Sequence, residues 1–194
     1  MSKLHFKYGA MNSGKTDTLI KAAYNYTENG LRPVVVKAKV DTKGAAEIVA
    51  RAGMSRTADI IADKDTNIRY EVAQLHTQSP VNCVFIDETQ FLSPEQITQL
   101  YDIAKHDNIS VVAYGLRTDF MTNMFPGAKR LFELADNIEK IPTMCRCGSQ
   151  AEFNCRMVDG VFVFEGDQVA IDGEQEVTYV SLCANCRSKE MGDV

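Results

Sequence analysis

The sequence predicts an α/β fold: a mainly parallel sheet with helices on both faces, followed by a small cysteine-bearing C-terminal module. Three observations carry that prediction. Strand and helix signals alternate through the first 142 residues, the pattern of crossover connections between parallel strands. A loop of the form G-x-x-x-x-G-K-T stands between the first strand and the first helix. Charge and cysteine content then change after residue 142. Residues 1–142 hold 17 basic and 17 acidic side chains, whereas residues 143–194 hold 4 and 9, with four of the six cysteines in two close pairs.

The elements follow in order. Leu4, Phe6 and Tyr8 alternate with polar residues up to Gly9, the signature of a strand entering a glycine loop. A helix is predicted from about Lys15 to Glu28, with Gly30 just past its end. Pro33 introduces Val34-Val35-Val36, a β-branched run suited to a buried strand. Short helices are predicted around Ala46–Ala52 and Asn67–Thr77, and a strand from Val81 to Ile86. Ser93, Pro94 and Gln96 form a helix start with a capping box. Ile97, Leu100, Tyr101 and Ala104 then recur along one face. Ile109–Tyr114 is a further strand, Gly127–Ala135 a helix and Ile138–Ile141 a last strand before Pro142.

Composition limits what the chain can be. With 194 residues, 45% hydrophobic and 24% charged, it has core enough to fold and too much apolar content for a disordered chain. No apolar run reaches the ~18 residues of a membrane-spanning helix, and the N-terminus lacks a signal-peptide core; the expectation is a cytoplasmic protein with no membrane partner. The net charge of −5 provides no broad basic field for a nucleic-acid backbone, so no nucleic-acid partner is expected.

Gly9-Ala10-Met11-Asn12-Ser13-Gly14-Lys15-Thr16 is a P-loop in the strand–loop–helix context that the motif requires. Its glycines let successive backbone N–H groups turn toward phosphate oxygens, and the helix that follows adds its N-terminal field. Lys15 would neutralise the β- and γ-phosphates of ATP, and Thr16 would offer a hydroxyl to Mg²⁺. The fold is therefore of P-loop NTPase type. Val84-Phe85-Ile86-Asp87-Glu88 is an apolar strand ending in two acids, expected to lie beside the P-loop strand and to supply a carboxylate for Mg²⁺. Neighbouring residues at a strand end point to opposite faces, so Asp87 and Glu88 should divide the work, one facing the metal and the other the acceptor.

The pairs Cys145-x-Cys147 and Cys183-x-x-Cys186 are the ligand set of a tetrahedral, structural Zn²⁺ in a reducing compartment. Cys155, between them, is an alternative fourth ligand; free thiols or a redox disulfide are the competing readings. Cys83 reads as a small core residue, and His5, His76 and His106 are isolated from other plausible ligands.

The P-loop with Met11, the series Asp87-Glu88-Thr89-Gln90-Phe91, the segment Tyr114-Gly115-Leu116-Arg117-Thr118-Asp119-Phe120, and Ile171-Asp172-Gly173 before Tyr179 and the last cysteine pair together resemble type II (cytosolic, zinc-containing) thymidine kinases. The resemblance spans nearly the whole chain. It implies phosphoryl transfer from ATP to the 5′-hydroxyl of thymidine, in deoxynucleotide salvage, with Glu88 as catalytic base. It implies that Lys15, Thr16 and Asp87 serve phosphate and Mg²⁺. It places Met11, Asp41, Leu116, Phe120, Phe125, Ile171, Gly173 and Tyr179 around the nucleoside, Tyr179 on a loop spanning residues 163–179 that closes over the substrate. A homotetramer inhibited by dTTP is implied too. The chain departs from relatives at Lys43, where they commonly carry Arg, at Asp172, where Gly is common, and in its tight first cysteine pair. Two units are expected, a nucleotide-binding domain over residues 1–142 and a zinc-binding module over 143–194. The competing reading is a P-loop ATPase with a zinc-ribbon nucleic-acid-binding tail; the excess of acids in that tail opposes it.

Overall fold

In the computed structural model, which describes residues 2–39, 46–168 and 176–192, six strands build a wholly parallel sheet. Its strands are β1 (Leu4–Tyr8), β2 (Pro33–Ala38), β5 (Ile60–Ala62), β6 (Cys83–Asp87), β7 (Ser110–Gly115) and β8 (Asn137–Lys140), in the order β5-β2-β6-β7-β1-β8. Side chains alternate between two faces. Val34, Val36, Val84, Ile86, Val111 and Ala113 pack one way, against α2 (Ile68–Gln78), α3 (Pro94–Lys105) and α4 (Pro126–Leu134). Val35, Cys83, Phe85 and Tyr114 pack the other way, against Leu19, Ile20 and Ala23 of α1 (Lys15–Glu28). Helices therefore cover both faces, as the unbroken β-branched runs predict.

The sequence-predicted elements recur with small shifts at their ends. The capping box of α3 is present, with the Gln96 N–H donating to Ser93 Oγ at 3.2 Å and the Ser93 N–H to Gln96 Oε1 at 3.0 Å. Gly30 lies past the end of α1 at φ 72°, in the left-handed region that favours glycine.

Two expectations are corrected. Ala46–Ala52 is not a helix: β3 (Glu47–Val49) pairs antiparallel with β4 (Ser55–Thr57). Ile48 is buried while Glu47 and Val49 are exposed, a period of two, and Gly53 at φ 88° supplies the turn. Nor does the acid strand lie beside the P-loop strand, because β7 intervenes between β6 and β1. With β6 and β1 both pairing to β7, the acids reach the P-loop across one strand width.

The C-terminal segment is more regular than its sequence suggests. β9 (Phe153–Val158), β10 (Val161–Val163) and β11 (Val177–Leu182) form an antiparallel sheet in the order β10-β9-β11, followed by α5 (Ala184–Met191). No helix among the described residues is long and apolar enough to cross a membrane.

Candidate active site

The P-loop lies between the end of β1 and the start of α1. Gly9 is required by close approach: a Cβ there would meet Ser13 Oγ at 2.5 Å and the Ile141 carbonyl at 2.7 Å. Asn12 and Gly14 take φ of 67° and 74°, so the chain turns through two left-handed residues before the helix. α1 begins at Gly14 with no side-chain cap, unlike α3. The first N–H groups of a helix have no partner within it, so an uncapped N-terminus behind a glycine loop is built to receive an anion.

Lys15 is 8% exposed and folds back over the loop, donating from Nζ to the carbonyls of Ala10 (2.9 Å) and Gly9 (3.2 Å) and to Ser13 Oγ (3.3 Å). Burial lowers the pKa of its ammonium, opposed by the charges of Glu88 and Asp87. Thr16 Oγ1 donates to Asp87 at 3.3 Å, so the hydroxyl and the carboxylate predicted to serve one cation are adjacent. Burial, and then the neighbouring charge of Glu88, push Asp87 up to about 7. An acid so placed stays ionised at neutral pH most readily beside a cation.

Glu88 follows β6 at φ 54°, a left-handed conformation that is uncommon for a non-glycine residue. Its N–H donates to Asp87 Oδ1 at 3.1 Å, while its own carboxylate accepts from Gln90 Nε2. Asp87 thus joins Thr16, and Glu88 joins Gln90. Gln90, 2% exposed, also accepts from the Leu116 N–H at 2.9 Å through Oε1. It fixes the Glu88 carboxylate to the end of β7. Gly115 permits this contact, since a Cβ there would sit 2.5 Å from Thr89 Oγ1 and 2.6 Å from Gln90 Oε1. In the sequence Gln90 is one residue of the Asp87–Phe91 series with no evident task of its own.

A cleft of about 390 Å³ adjoins this corner, lined by Gln90, Phe91, Phe125 and Gln168 among others. Phe125 is 5% exposed and packs edge-on against Phe91 at 5.6 Å. Phe120 and Tyr179 lie on a different arrangement. The guanidinium of Arg156, 5% exposed, sits 3.8 Å above the Phe120 ring and donates from Nε to Tyr179 Oη at 3.0 Å. Its other nitrogens donate to the carbonyls of Asp167 (2.8 Å) and Gln168 (3.1 Å). Arg156, which belongs to no sequence motif, is therefore the post between Phe120 and the 167–168 turn. Tyr179 itself belongs to β11, opposite Arg156, and not to a loop. Leu116 is partly buried against the main core. Asp41, Ile171 and Gly173, the remaining nucleoside candidates, fall outside the described residues.

The sulfurs of Cys145, Cys147, Cys183 and Cys186 all lie within 4.8 Å of one another and could hold a metal ion. Cys147 and Cys183 are 3.6 Å apart. Cys155 is fully buried in β9 and is not one of the four. Hydrogen bonds from Ser149 lower Cys147 to about 6, while the adjoining cysteines push Cys186 up to about 12. Four clustered thiols cannot all ionise unaided, and a divalent cation removes that conflict.

Comparison with known proteins agrees with this geometry. A family model described as thymidine kinase matches residues 2–187. A thymidine kinase of Agrobacterium fabrum is 43% identical over 185 residues, covering 94% of each chain. One from Vibrio parahaemolyticus is 40% identical over 194 residues, covering 99% of this chain and all of its own. One from Ruegeria pomeroyi is 40% identical over 195 residues, covering 100% of this chain and 97% of its own. Among solved structures, an ATPase domain superposes with a TM-score of 0.53 at 14% identity, over 91% of this chain and 80% of its own, a likeness of fold alone. With the phosphate loop, the paired acids and the four-cysteine cluster assembled as described, the chain belongs to the thymidine kinase family.

Proposed function

We propose that this chain transfers the γ-phosphoryl group of ATP to the 5′-hydroxyl of thymidine, yielding dTMP and ADP for deoxynucleotide salvage. The observation that carries the reading is the split of the two acids at the end of β6. Asp87 is tied to Thr16 of the P-loop, while the Glu88 carboxylate is held by Gln90. A hydrolase and a kinase share the first half of that arrangement. The second half provides a fixed carboxylate toward the side from which an acceptor hydroxyl would approach.

The residues then act as follows. ATP phosphates draw Lys15 from the loop carbonyls it now contacts, exchanging neutral acceptors for charged oxygens. The Gly14–Thr16 end of α1 receives the same phosphates. Thr16 and Asp87 would hold Mg²⁺, which when bound neutralises charge on the β- and γ-phosphates. Glu88 orients the 5′-hydroxyl. The transition state for phosphoryl transfer is usually loose, so the proton leaves late and the Glu88 carboxylate accepts it as the new P–O bond forms.

The base is assigned to Phe120, Phe125 and Tyr179, with Met11 and Leu116 also serving it. Backbone groups of the 163–179 segment would meet its hydrogen-bonding edge, and Asp41 would serve the sugar and phosphates. The four-cysteine site is assigned to Zn²⁺. Regular tetrahedral coordination at about 2.3 Å places sulfurs about 3.8 Å apart, close to the Cys147–Cys183 spacing. With four protein ligands the site is closed and structural. The division into a nucleotide-binding unit, 1–142, and a metal-binding module, 143–194, belongs to this reading, as do a homotetramer and inhibition by dTTP. Light scattering and a dTTP titration test the last two.

The test of the reaction is ATP consumption across a panel of deoxynucleosides. ATP should be consumed with thymidine and yield ADP and dTMP in equal amounts, with little turnover on deoxyadenosine. Steady hydrolysis without any nucleoside would favour a P-loop ATPase instead.

A further inference from the structure

The P-loop is gripped from outside by side chains of the C-terminal segment. Asn154 and Ser181 face each other across the β9–β11 ladder, and both are buried, at 4% and 7% exposure. Between them they hold both polar groups of one P-loop residue. The Met11 N–H donates to Asn154 Oδ1 at 2.8 Å, and Ser181 Oγ donates to the Met11 carbonyl at 2.6 Å. Asn154 Nδ2 donates onward to the Thr118 carbonyl at 3.1 Å, just past β7. One neighbour is a donor and the other an acceptor, so only one orientation of the amide satisfies both. Thr143 Oγ1 adds a bond to the Asn12 carbonyl at 3.3 Å.

The carbonyls of Met11 and Asn12 belong to the two peptide groups that flank the Asn12 Cα, the residue held at φ 67°. In a trans peptide the N–H points opposite to the carbonyl. Drawing both carbonyls toward the C-terminal segment therefore turns the N–H groups of Asn12 and Ser13 to the opposite side, toward the loop interior. The Ser13 N–H does face that way, reaching the Ala10 carbonyl at 3.3 Å. A left-handed asparagine is uncommon and persists when its surroundings determine it; here the surroundings are hydroxyls and an amide from the last 52 residues of the chain.

We infer that Asn154, Ser181 and Thr143 are positioning residues that hold the P-loop in its phosphate-receiving shape, so that the cysteine-bearing segment sets ATP affinity without touching ATP. The inference rests on the proposed reading of the P-loop as the ATP site.

The experiment is calorimetric binding of Mg²⁺ with a non-hydrolysable ATP analogue to the full chain, with steady-state kinetics alongside. Asn154→Ala should weaken analogue binding about tenfold and Ser181→Ala several-fold. KM for ATP should rise to match, and kcat at saturating ATP should stay within about threefold. Ser181→Thr, which keeps the hydroxyl, should retain the parent affinity. The double variant should lose less than the product of the single effects, because both side chains hold one residue. Analogue affinity within twofold of the parent in both Asn154→Ala and Ser181→Ala would overturn the inference, whatever happens to thermal stability. So would loss of affinity in Ser181→Thr equal to that in Ser181→Ala. Should Asn154→Ala fail to fold, the Ser181 pair decides. A parent chain that does not bind the analogue at all would refute the ATP site itself, a separate result.

Discussion

The six-stranded sheet and the three-stranded sheet of the C-terminal segment are held by different physics. The first buries apolar side chains on both faces, among them Phe6, Phe85, Leu19, Ile97 and Leu100. The second has a core of Cys145, Ala151, Cys155, Leu182 and Cys183 among the described residues, and three of those five are cysteines. A core this small is the usual circumstance in which a structural metal adds stability. The comparison teaches that stability and chemistry are distributed unequally. The large core carries the acids and the phosphate loop, while the small one depends on its sulfurs and contributes hydrogen bonds to the P-loop.

The largest effect should come from breaking the weaker region. Cys183→Ser should release the metal and destabilise the fold by more than about 4 kcal/mol, read by metal content and thermal melting. Cys155→Ser, in the same core and outside the cluster, should keep the metal and lose only about 1–3 kcal/mol. Loss of metal in the second variant would mean that the ligand set is wrong.

The opposite signature should come from the stronger region. Lys15→Ala should lower kcat by roughly 10²–10³-fold, the range for removing one preorganised charge-stabilising group. Its melting temperature should be unchanged or slightly higher, since a buried ammonium is removed. Full turnover in the folded variant would contradict the phosphate assignment.

Asp87 sharpens the comparison through pH. Its carboxyl is held at about 7 by burial and by Glu88, against about 4 in an unfolded chain. Between those values the folded state keeps a proton that the unfolded state has released. The stability this group contributes is therefore present below about pH 4 and lost as pH rises through 7. In Mg²⁺-free, nucleotide-free protein the melting temperature should fall by about 10 °C across that window, and Asp87→Asn should flatten the fall. Mg²⁺-nucleotide binding, which needs the ionised form, should strengthen over the same range.

The smallest effect probes the main sheet alone. Ser93→Ala removes one half of the α3 capping box and should lower stability by about 1 kcal/mol without moving turnover.

Much of this was legible in the sequence because it is local. A P-loop is eight consecutive residues, and the acid strand announces itself by an apolar run ending in Asp87-Glu88. The α3 start is written in Ser93, Pro94 and Gln96. What stayed hidden depends on contacts distant in sequence. Nothing near Asn154 indicates that it meets Met11, and Arg156 acquires its role only by lying between Phe120 and Tyr179. The order of β6, β7 and β1 is a tertiary choice that strand signals do not encode. Residues 46–52 misled because alanine-rich text with one buried Ile48 fits a helix until Gly53 and the pairing with β4 are known.

The central claim is that the two carboxylates at the end of β6 divide the chemistry, and it is tested most directly by measuring kcat and thymidine Kd for Glu88→Gln and Asp87→Asn. Glu88→Gln keeps the shape of the side chain and loses the proton acceptor. Its kcat should fall roughly 10²–10⁴-fold, the range for a positioned base, while thymidine Kd changes less than about threefold. Asp87→Asn should weaken Mg²⁺-ATP binding as well as turnover. Near-normal kcat in Glu88→Gln, with collapse in Asp87→Asn alone, would contradict the account and assign the base to Asp87 instead.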